Sequence, residues 1–192
     1  MGARLSLMAV DLDGTLLRGN SLHEYIRCGL CHGSLWQRIR LVVFLGLRRM
    51  RLVSHVWMKR RALAAIRRDE SFIADFKMRV DALRRGEVLR LIDAHVASGG
   101  RAVLATAASE VYVRDIWEGD YVCTDAACDV ECRGDEKVRR VLDYASTHGC
   151  RLDIVVTDHP DDMPLLSCPG VRRIIVGGHA GLATISAERR IE

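Results

Sequence analysis

Two aspartates, Asp11 and Asp13, stand two residues apart in the segment DLDGT, directly after the apolar run Leu5–Val10. Carboxylates at the end of a buried strand repel each other, and burial adds to the cost of their charge unless a cation is nearby. Asp11 and the later Asp158, with a backbone carbonyl and waters, offer the oxygen ligands that Mg²⁺ prefers. The pattern therefore predicts a Mg²⁺ site at which Asp11 could act on a phosphate group.

Other polar residues that could serve this chemistry fall at corresponding places in the chain. Thr106 ends a second predicted strand, Asp158 follows a later one, and Lys137 lies in the first turn of a predicted helix. Ligands of parallel α/β sheets bind beyond the carboxyl ends of the strands, where the following helices present their N-termini. A lysine at a helix N-terminus is disfavoured by the helix dipole unless an anion is close. We therefore expect these residues to meet Asp11 at one sheet edge, around a phosphate.

Alternating strands and helices would form that sheet. Short apolar runs of strand length alternate with helical patterns from residue 86 onward. Strands joined by helices pair in parallel, so the sequence predicts an α/β fold with a three-layer, Rossmann-like parallel sheet. The predicted strands are Leu5–Val10, 102–105, Tyr121–Thr124, 152–157 and 171–176, with helices predicted near 88–97, 110–118, 136–148 with Asp135 as the N-cap, and 162–166.

Residues 20–85 carry a different pattern. Helix-forming residues and arginine-rich faces fill this segment without the alternation of a strand, and Ser21 with Glu24 predicts a capping box at its start. The predicted organisation is therefore a Rossmann-like catalytic core, residues 1–19 and 86–192, with an all-helical cap domain inserted at 20–85.

Charge is distributed unevenly along the chain. From residue 35 to residue 86 there are fourteen Lys or Arg against four Asp or Glu, although the whole chain carries a net charge of only +4. Such clustering attracts phosphate-bearing substrates, anionic lipid or nucleic acid, and it also occurs on ordinary solvated helix faces. One hypothesis is therefore a binding or membrane-surface module whose arginine-rich helices between 41 and 65 contact anionic lipid, an acidic partner or nucleic acid. Such a module would have no need of four polar residues at one sheet edge, which favours an enzyme acting on a small phosphorylated substrate, without nucleic acid as a partner.

Four segments resemble, in chain order, the motifs of haloacid dehalogenase-like hydrolases. They are DLDGT at 11–15, VLATAAS at 103–109, GDEK at 134–137 and TDHPDD at 157–162. The inserted helices look like the helical cap of the phosphoserine phosphatase-like subgroup, which closes over the site and excludes water. The resemblance implies a Mg²⁺-dependent phosphomonoester hydrolase, with transfer of the phosphoryl group to an acceptor other than water as an open alternative.

The resemblance also assigns roles to the residues that match the motifs. Asp11 would attack phosphorus to form an aspartyl-phosphate, and Asp13 would protonate the leaving oxygen and then activate water. Thr106 and Lys137 would bind the phosphoryl oxygens and stabilise the charge of the transition state.

The remaining roles concern the metal. Asp11, Asp158 and the backbone carbonyl of Asp13 would be its protein ligands. Asp162 would act on the metal site indirectly or through the lysine, and Ala107, next to the phosphate-binding threonine, is a further supporting residue.

Three positions depart from the subgroup's pattern. Asn20 stands where phosphoserine phosphatases carry a glutamate for the substrate ammonium, which argues against phosphoserine as the substrate. Thr157 replaces the usual glycine of the fourth motif, and Asp161 stands where those enzymes have an amide. Neither of the last two changes removes a charge that the chemistry requires.

The start of the chain lacks the pattern of a secretory signal, and the longest apolar run, residues 41–47, is far shorter than the roughly 20 residues that span a bilayer. The seven cysteines are an odd number, and we expect reduced thiols. These features predict a cytoplasmic protein without a membrane span, leaving peripheral contact with an anionic surface open. The sequence makes no prediction of the oligomeric state.

Overall fold

A parallel β-sheet forms the centre of the molecule. The computed structural model describes residues 4–177 and 190–191. Its strands are β1 Leu5–Val10, β2 Arg101–Ser109, β3 Tyr121–Thr124, β4 Cys150–Thr157, β5 Arg172–Val176 and β6 Arg190–Ile191. They form one sheet in the order β3-β2-β1-β4-β5-β6, in which every neighbouring pair is parallel. β1 therefore lies inside the sheet, between β2 and β4.

Helices connect the strands and cover the sheet. They are α1 Ser21–His32, α2 Leu35–Arg49, α3 His55–Ala65, α4 Glu70–Ala82, α5 Gly86–Ala97, α6 Glu110–Ile116, α7 Asp135–Thr147 and α8 Met163–Leu166. A single 3₁₀ turn, Pro160–Asp162, joins β4 to α8.

Side chains on β1 alternate between the two faces of the sheet, as strand geometry requires. Met8 belongs to the apolar cluster that includes Val88 of α5. Leu7 belongs to a second cluster with Val141 of α7 and Leu165 of α8. Complete burial of one such side chain stabilises the fold by about 1.5–3 kcal/mol. The sheet is thus covered on both faces, and the predicted three-layer α/β fold is confirmed.

Residues 20–85 form the four helices α1 to α4 and contribute no strand to the sheet. An aromatic cluster joins them to the α/β part, since the Tyr25 ring of α1 lies 5.0 Å from that of Tyr112 on α6. Phe72 and Phe76 of α4 complete this cluster with edge-on contacts to Tyr25 at 5.1 and 5.2 Å. The predicted all-helical character of the segment is confirmed, while its division from the core at 19/20 and 85/86 stays a prediction.

α2 is the least buried of these helices. Only Leu41 among its fifteen residues is buried, and Phe44 packs edge-on against Trp57 of α3 at 5.6 Å. Its other apolar side chains are partly or fully exposed. Within residues 4–177 and 190–191, no helix has the length and apolarity needed to cross a membrane.

Two predicted helix starts were wrong by one residue. Asn20 rather than Ser21 caps α1, because the Asn20 side chain accepts a hydrogen bond from the amide of His23 at 3.1 Å. Gly134, with a φ of +56°, precedes α7, so that Asp135 is its first residue and not its cap. Asn and Ser are equally good N-caps, which is why a local pattern does not separate neighbouring candidates.

The predicted end of β2 was also wrong. The strand continues past Thr106 to Ser109. Its pairing with β1 ends at Leu104, and its pairing with β3 is irregular before Ser109 meets Thr124. Irregularities of this kind re-aim side chains near functional sites. The short strand β6 was not predicted, because two residues carry no periodic pattern.

Candidate active site

The carboxyl ends of β1 and β4 form the crevice in which the candidate site lies. Asp11 follows β1 directly, and its amide donates to the carbonyl of Val156 on β4 at 2.9 Å. Asp158 follows β4. The hydroxyl of Thr15 lies 3.1 Å from Oδ1 of Asp158 and 3.5 Å from Oδ2 of Asp11. The structure thus places the two predicted metal-binding carboxylates on either side of one hydroxyl group.

Gly14 permits this arrangement. Its φ of +85° lies in the left-handed region that favours glycine. A Cβ atom at this position would overlap the carboxylate of Asp158. The Asp-Gly step of the first motif is therefore required both for the turn after β1 and for the close approach of the β4 end.

Lys137 supplies the positive charge of the site. Its Nζ lies 2.9 Å from Oδ1 of Asp11 and 2.6 Å from Oδ1 of Asp162, and the residue is 3% exposed. Burial opposes the charge of the ammonium group, but the two carboxylates raise the pKa of Lys137 above its usual range. Lys137 therefore stays protonated and holds two carboxylates that would otherwise repel each other.

Asp162 is fixed from a second direction by Thr157. The Thr157 hydroxyl donates to Oδ2 of Asp162 at 2.7 Å, and both side chains are buried. Asp162 therefore contacts the lysine and not the pair formed by Asp11 and Asp158. This geometry gives a physical account of Thr157, the departure from glycine in the fourth motif, since its hydroxyl orients the partner of Lys137.

Burial has the largest influence on the pKa values of Asp11 and Asp13, the two aspartates of the first motif. It raises the pKa of Asp11 to about 7, with Lys137 acting in the opposite direction. It also raises the pKa of Asp13, which the amide of Ser21 partly offsets by donating to Oδ1 at 2.6 Å. A carboxyl group with a raised pKa is suited to give and take protons. Asp13 also joins the sheet edge to the start of α1.

The end of β2 forms another wall of the site. Thr106 is buried, and its hydroxyl oxygen accepts a hydrogen bond from the amide of Ala108 at 3.0 Å. The carbonyl of Ala107 accepts bonds from the Thr124 hydroxyl at 2.8 Å and from Lys59 Nζ at 2.7 Å. The peptide groups beside the predicted phosphate-binding threonine are therefore held by donors from two different elements.

These residues line a cavity of about 830 Å³. From the α/β part it is lined by Asp11, Asp13, Thr106, Ala107, Lys137 and Asp162. From the helical segment it is lined by, among others, Asn20, Ile26, Arg48, Arg49, Met58 and Lys59. The structure brings all predicted site residues together, with Asp158 joined to them through Thr15.

Lys59 of α3 was missed by the sequence analysis. It is 2% exposed, and its Nζ contacts the carboxylate of Glu131 at 2.9 Å as well as the Ala107 carbonyl. Hydrogen bonding from His55 and from Lys59 lowers the pKa of Glu131 to about 2, against the effect of burial. Nothing in the local sequence distinguishes Lys59 from the cations around it, because its role depends on a contact across 48 residues.

The donor set fits a magnesium ion. Asp11 and Asp158 approach the same hydroxyl, so their carboxylates lie close enough to be ligands of one cation. Within the described residues no group of three or more Asp, Glu, His or Cys side chains forms a ready metal site. A Mg²⁺ ion does not need such a group, because it accepts a mixed set of oxygen ligands: here two carboxylates, a backbone carbonyl and waters.

Comparison with solved structures shows the same fold in other proteins. A protein of unknown function from Bordetella pertussis Tohama I superposes with a TM-score of 0.76 at 18% identity, with 99% of each chain covered. A probable phosphoserine phosphatase from Vibrio cholerae gives 0.72 at 10% identity, covering 96% of this chain and 59% of that one. A phosphoserine phosphohydrolase-like protein from Francisella tularensis subsp. tularensis SCHU S4 gives 0.59 at 16% identity, covering 96% and 94%.

Sequence comparison gives the family. No curated protein sequence matches the chain significantly. The family model of haloacid dehalogenase-like hydrolases matches residues 9–167, which is most of the chain and includes all four motifs. The predicted family is thereby confirmed, and the fold agrees with that of its phosphoserine phosphatase-like members. The chain belongs to the haloacid dehalogenase-like hydrolases.

Proposed function

We propose that the protein is a Mg²⁺-dependent phosphomonoester hydrolase that acts on a small phosphorylated compound in the cytoplasm. The observation that carries the proposal is the placement of Asp11, Asp13 and Lys137 in one cavity at the carboxyl end of β1. Membership of the hydrolase family and the likeness to phosphoserine phosphatase-like structures support it.

The reaction divides into two displacements. A carboxylate oxygen of Asp11 attacks phosphorus, the bond between phosphorus and the ester oxygen breaks, and Asp13 gives its proton to the leaving alkoxide. Water then attacks the phosphorus of the aspartyl-phosphate while Asp13 takes up a proton from it. Inorganic phosphate leaves and Asp11 returns to its carboxylate form. The raised pKa of Asp13 supports its part as the acid of the first step.

Lys137 and Thr106 bind the transferred group in this proposal. Lys137 carries a fixed positive charge beside Asp11, which lowers the cost of bringing an anionic phosphoryl group against a carboxylate. The Thr106 hydroxyl, already positioned by the Ala108 amide, has a proton to donate to a phosphoryl oxygen. Lys59 holds the neighbouring Ala107 carbonyl in place, so it is a positioning residue.

Asp11, Asp158 and the carbonyl of Asp13 would hold Mg²⁺, with Asp162 acting through Lys137. When bound, the ion neutralises phosphoryl charge and stabilises the transition state.

Asn20 bears on the choice of substrate. Its side-chain oxygen accepts the His23 amide hydrogen bond that caps α1. Asn20 therefore offers the cavity no negative charge for a substrate ammonium group. We infer that the substrate is a phosphomonoester other than phosphoserine.

The test is hydrolysis of p-nitrophenyl phosphate and of a panel of phosphorylated metabolites, with and without Mg²⁺. Wild-type protein should release nitrophenol and inorganic phosphate in equal amounts only with the metal, since unequal amounts would indicate transfer to another acceptor. Asp11→Asn, which lacks the nucleophile, should lose about 10³-fold or more in turnover. Asp143→Asn, an exposed change on α7, is the matched control and should retain activity. Undiminished turnover by Asp11→Asn would overturn the proposal.

A further inference from the structure

The outer face of α2 carries apolar side chains that the fold leaves uncovered. Seven of the twelve exposed large apolar residues in the described part of the chain fall between 35 and 52, and Trp36 is the most exposed of them at 74%. Along α2 and its cap, the exposed residues are Leu35, Trp36, Ile39, Val42, Val43 and Met50. Their spacing of three and four residues places them along one side of the helix. Leu41, the buried residue of α2, lies on the opposite side.

Cations flank this apolar face, and no anions accompany them. Residues 25–68 contain eleven Lys or Arg and no Asp or Glu. Arg40 and Arg49, on the two borders of this face, are exposed, and among the described residues neither side chain meets a carboxylate. Unpaired arginines beside exposed apolar side chains, with a tryptophan among them, are typical of a helix that lies in the headgroup region of an anionic membrane.

We propose that the outer face of α2 is a docking surface for an anionic lipid bilayer. The apolar side chains would enter the boundary between headgroups and acyl chains, and the flanking arginines would contact lipid phosphates. A second copy that docks through the same face fits this surface less well, because its residues 25–68 would bring cations against cations. A bilayer supplies both the apolar layer and the negative charge.

The docking surface adjoins the catalytic cavity. Leu45, Arg48 and Arg49 of α2 and Arg51 after it line that cavity. When the protein is docked on a bilayer, this wall of the cavity would therefore lie at the interface between lipid and water, where a phosphomonoester would reach it. This last consequence rests on the proposed phosphatase function, whereas the docking itself does not.

The experiment is co-sedimentation of the full chain with vesicles of phosphatidylcholine alone and of phosphatidylcholine mixed with phosphatidylglycerol. Wild-type protein should bind the mixed vesicles at least tenfold more strongly, and added salt should weaken that binding. Replacement of Trp36, Ile39 and Val43 by Ser should weaken binding about tenfold or more. Arg40→Gln with Arg49→Gln should weaken it about fivefold for each arginine removed.

Matched controls lie on other helices. Met78→Ser removes an exposed apolar side chain from α4, and Arg114→Gln removes an exposed cation from α6, so neither should change vesicle binding. Circular dichroism and thermal unfolding verify that each variant is folded. If the triple variant does not fold, Trp36→Ser alone still tests the surface, because the shift of tryptophan fluorescence to shorter wavelength on vesicle binding should be reduced.

Three results would overturn the docking proposal. One is equal binding to neutral and mixed vesicles, and another is unchanged binding by the folded α2 variants. The third is a dimer, measured by light scattering, that α2 substitutions dissociate while vesicles do not bind. Asp11→Asn should bind vesicles as the wild type does. Vesicle binding without turnover of any phosphomonoester would therefore reject the proposed function and leave the docking surface intact.

Discussion

The crevice at the ends of β1 and β4 and the outer face of α2 both contain cations, but the two regions differ in whether those cations have carboxylate partners. In the crevice Lys137 is buried between Asp11 and Asp162. On α2 the arginines are exposed and meet no carboxylate within the described part of the chain, while apolar side chains beside them are open to solvent.

The difference follows from the cost of charge burial. A buried charge needs a partner inside the protein, so the crevice determines its own geometry before any ligand arrives. An exposed cation is solvated and requires no partner from the fold. The comparison teaches that the crevice holds its charged groups at fixed positions, whereas the α2 face leaves its cations and apolar side chains without partners in the described part of the chain.

The largest expected effect comes from removing the central cation of the crevice. Lys137→Met leaves Asp11 and Asp162 buried side by side without a positive charge, which should reduce the free energy of unfolding by about 3–5 kcal/mol. Turnover of p-nitrophenyl phosphate should fall at least about 100-fold. Urea unfolding and steady-state kinetics measure the two effects. Lys77→Met, at an exposed site on α4, should change stability by less than about 0.5 kcal/mol. Equal stability of the two variants would contradict the distinction between the regions.

A pH-dependent effect should come from Glu131, which lies on the border between the crevice and the helical segment. The pKa of Glu131 is about 2 in the folded protein against 4.5 ordinarily, so between these values the unfolded chain binds more protons. The stabilisation is therefore fully present above about pH 4.5 and is lost as the pH falls toward 2. Solvent screening reduces it to about 1–2 kcal/mol.

Unfolding of wild type and Glu131→Gln across this pH range measures that contribution. The stability difference between them should shrink as the pH falls. Glu70→Gln, at an exposed position of α4, is the control and should follow the wild type. A constant difference between wild type and Glu131→Gln would show that the interactions of Glu131 with His55 and Lys59 do not depend on its charge.

A smaller effect is expected at Thr157. Thr157→Val removes the hydroxyl that donates to Asp162, and it should lower the free energy of unfolding by about 1–2 kcal/mol. Turnover should fall several-fold, because Asp162 would orient Lys137 less well. Thr157→Ser keeps the hydroxyl and should restore much of the activity. If Val and Ser behave alike in kinetics, the hydroxyl does not orient the lysine.

The smallest effect on stability should come from the outer face of α2. Trp36→Ser should alter the free energy of unfolding by less than about 0.5 kcal/mol, since the side chain is 74% exposed. Leu41→Ala on the same helix should cost about 2–5 kcal/mol, because Leu41 is completely buried. Chemical denaturation compares the two variants. A large loss from Trp36→Ser would mean that the exposed face contributes to folding and would weaken its interpretation as a docking surface.

Short-range patterns in the sequence determined the sheet and the polar residues at its edge. Buried parallel strands appear as brief apolar runs, and the residue after such a run must lie at the carboxyl edge. This is why the sequence alone predicts that Asp11 and Asp158 lie beside each other. The same reasoning failed at the end of β2, because the chain remains extended to Ser109 through an irregular pairing with β3.

Only the tertiary structure decided the contacts made across the helical segment. Lys59 reaches the Ala107 carbonyl because α3 packs over the end of β2, and no local pattern encodes that approach. α2 has apolar residues on both sides, so its periodicity alone could not tell which side is buried. Neighbouring helices cover Leu41, whose side chain lies beside Gly29 of α1, and leave Trp36 in solvent, because one helix can be covered only where neighbouring elements reach it.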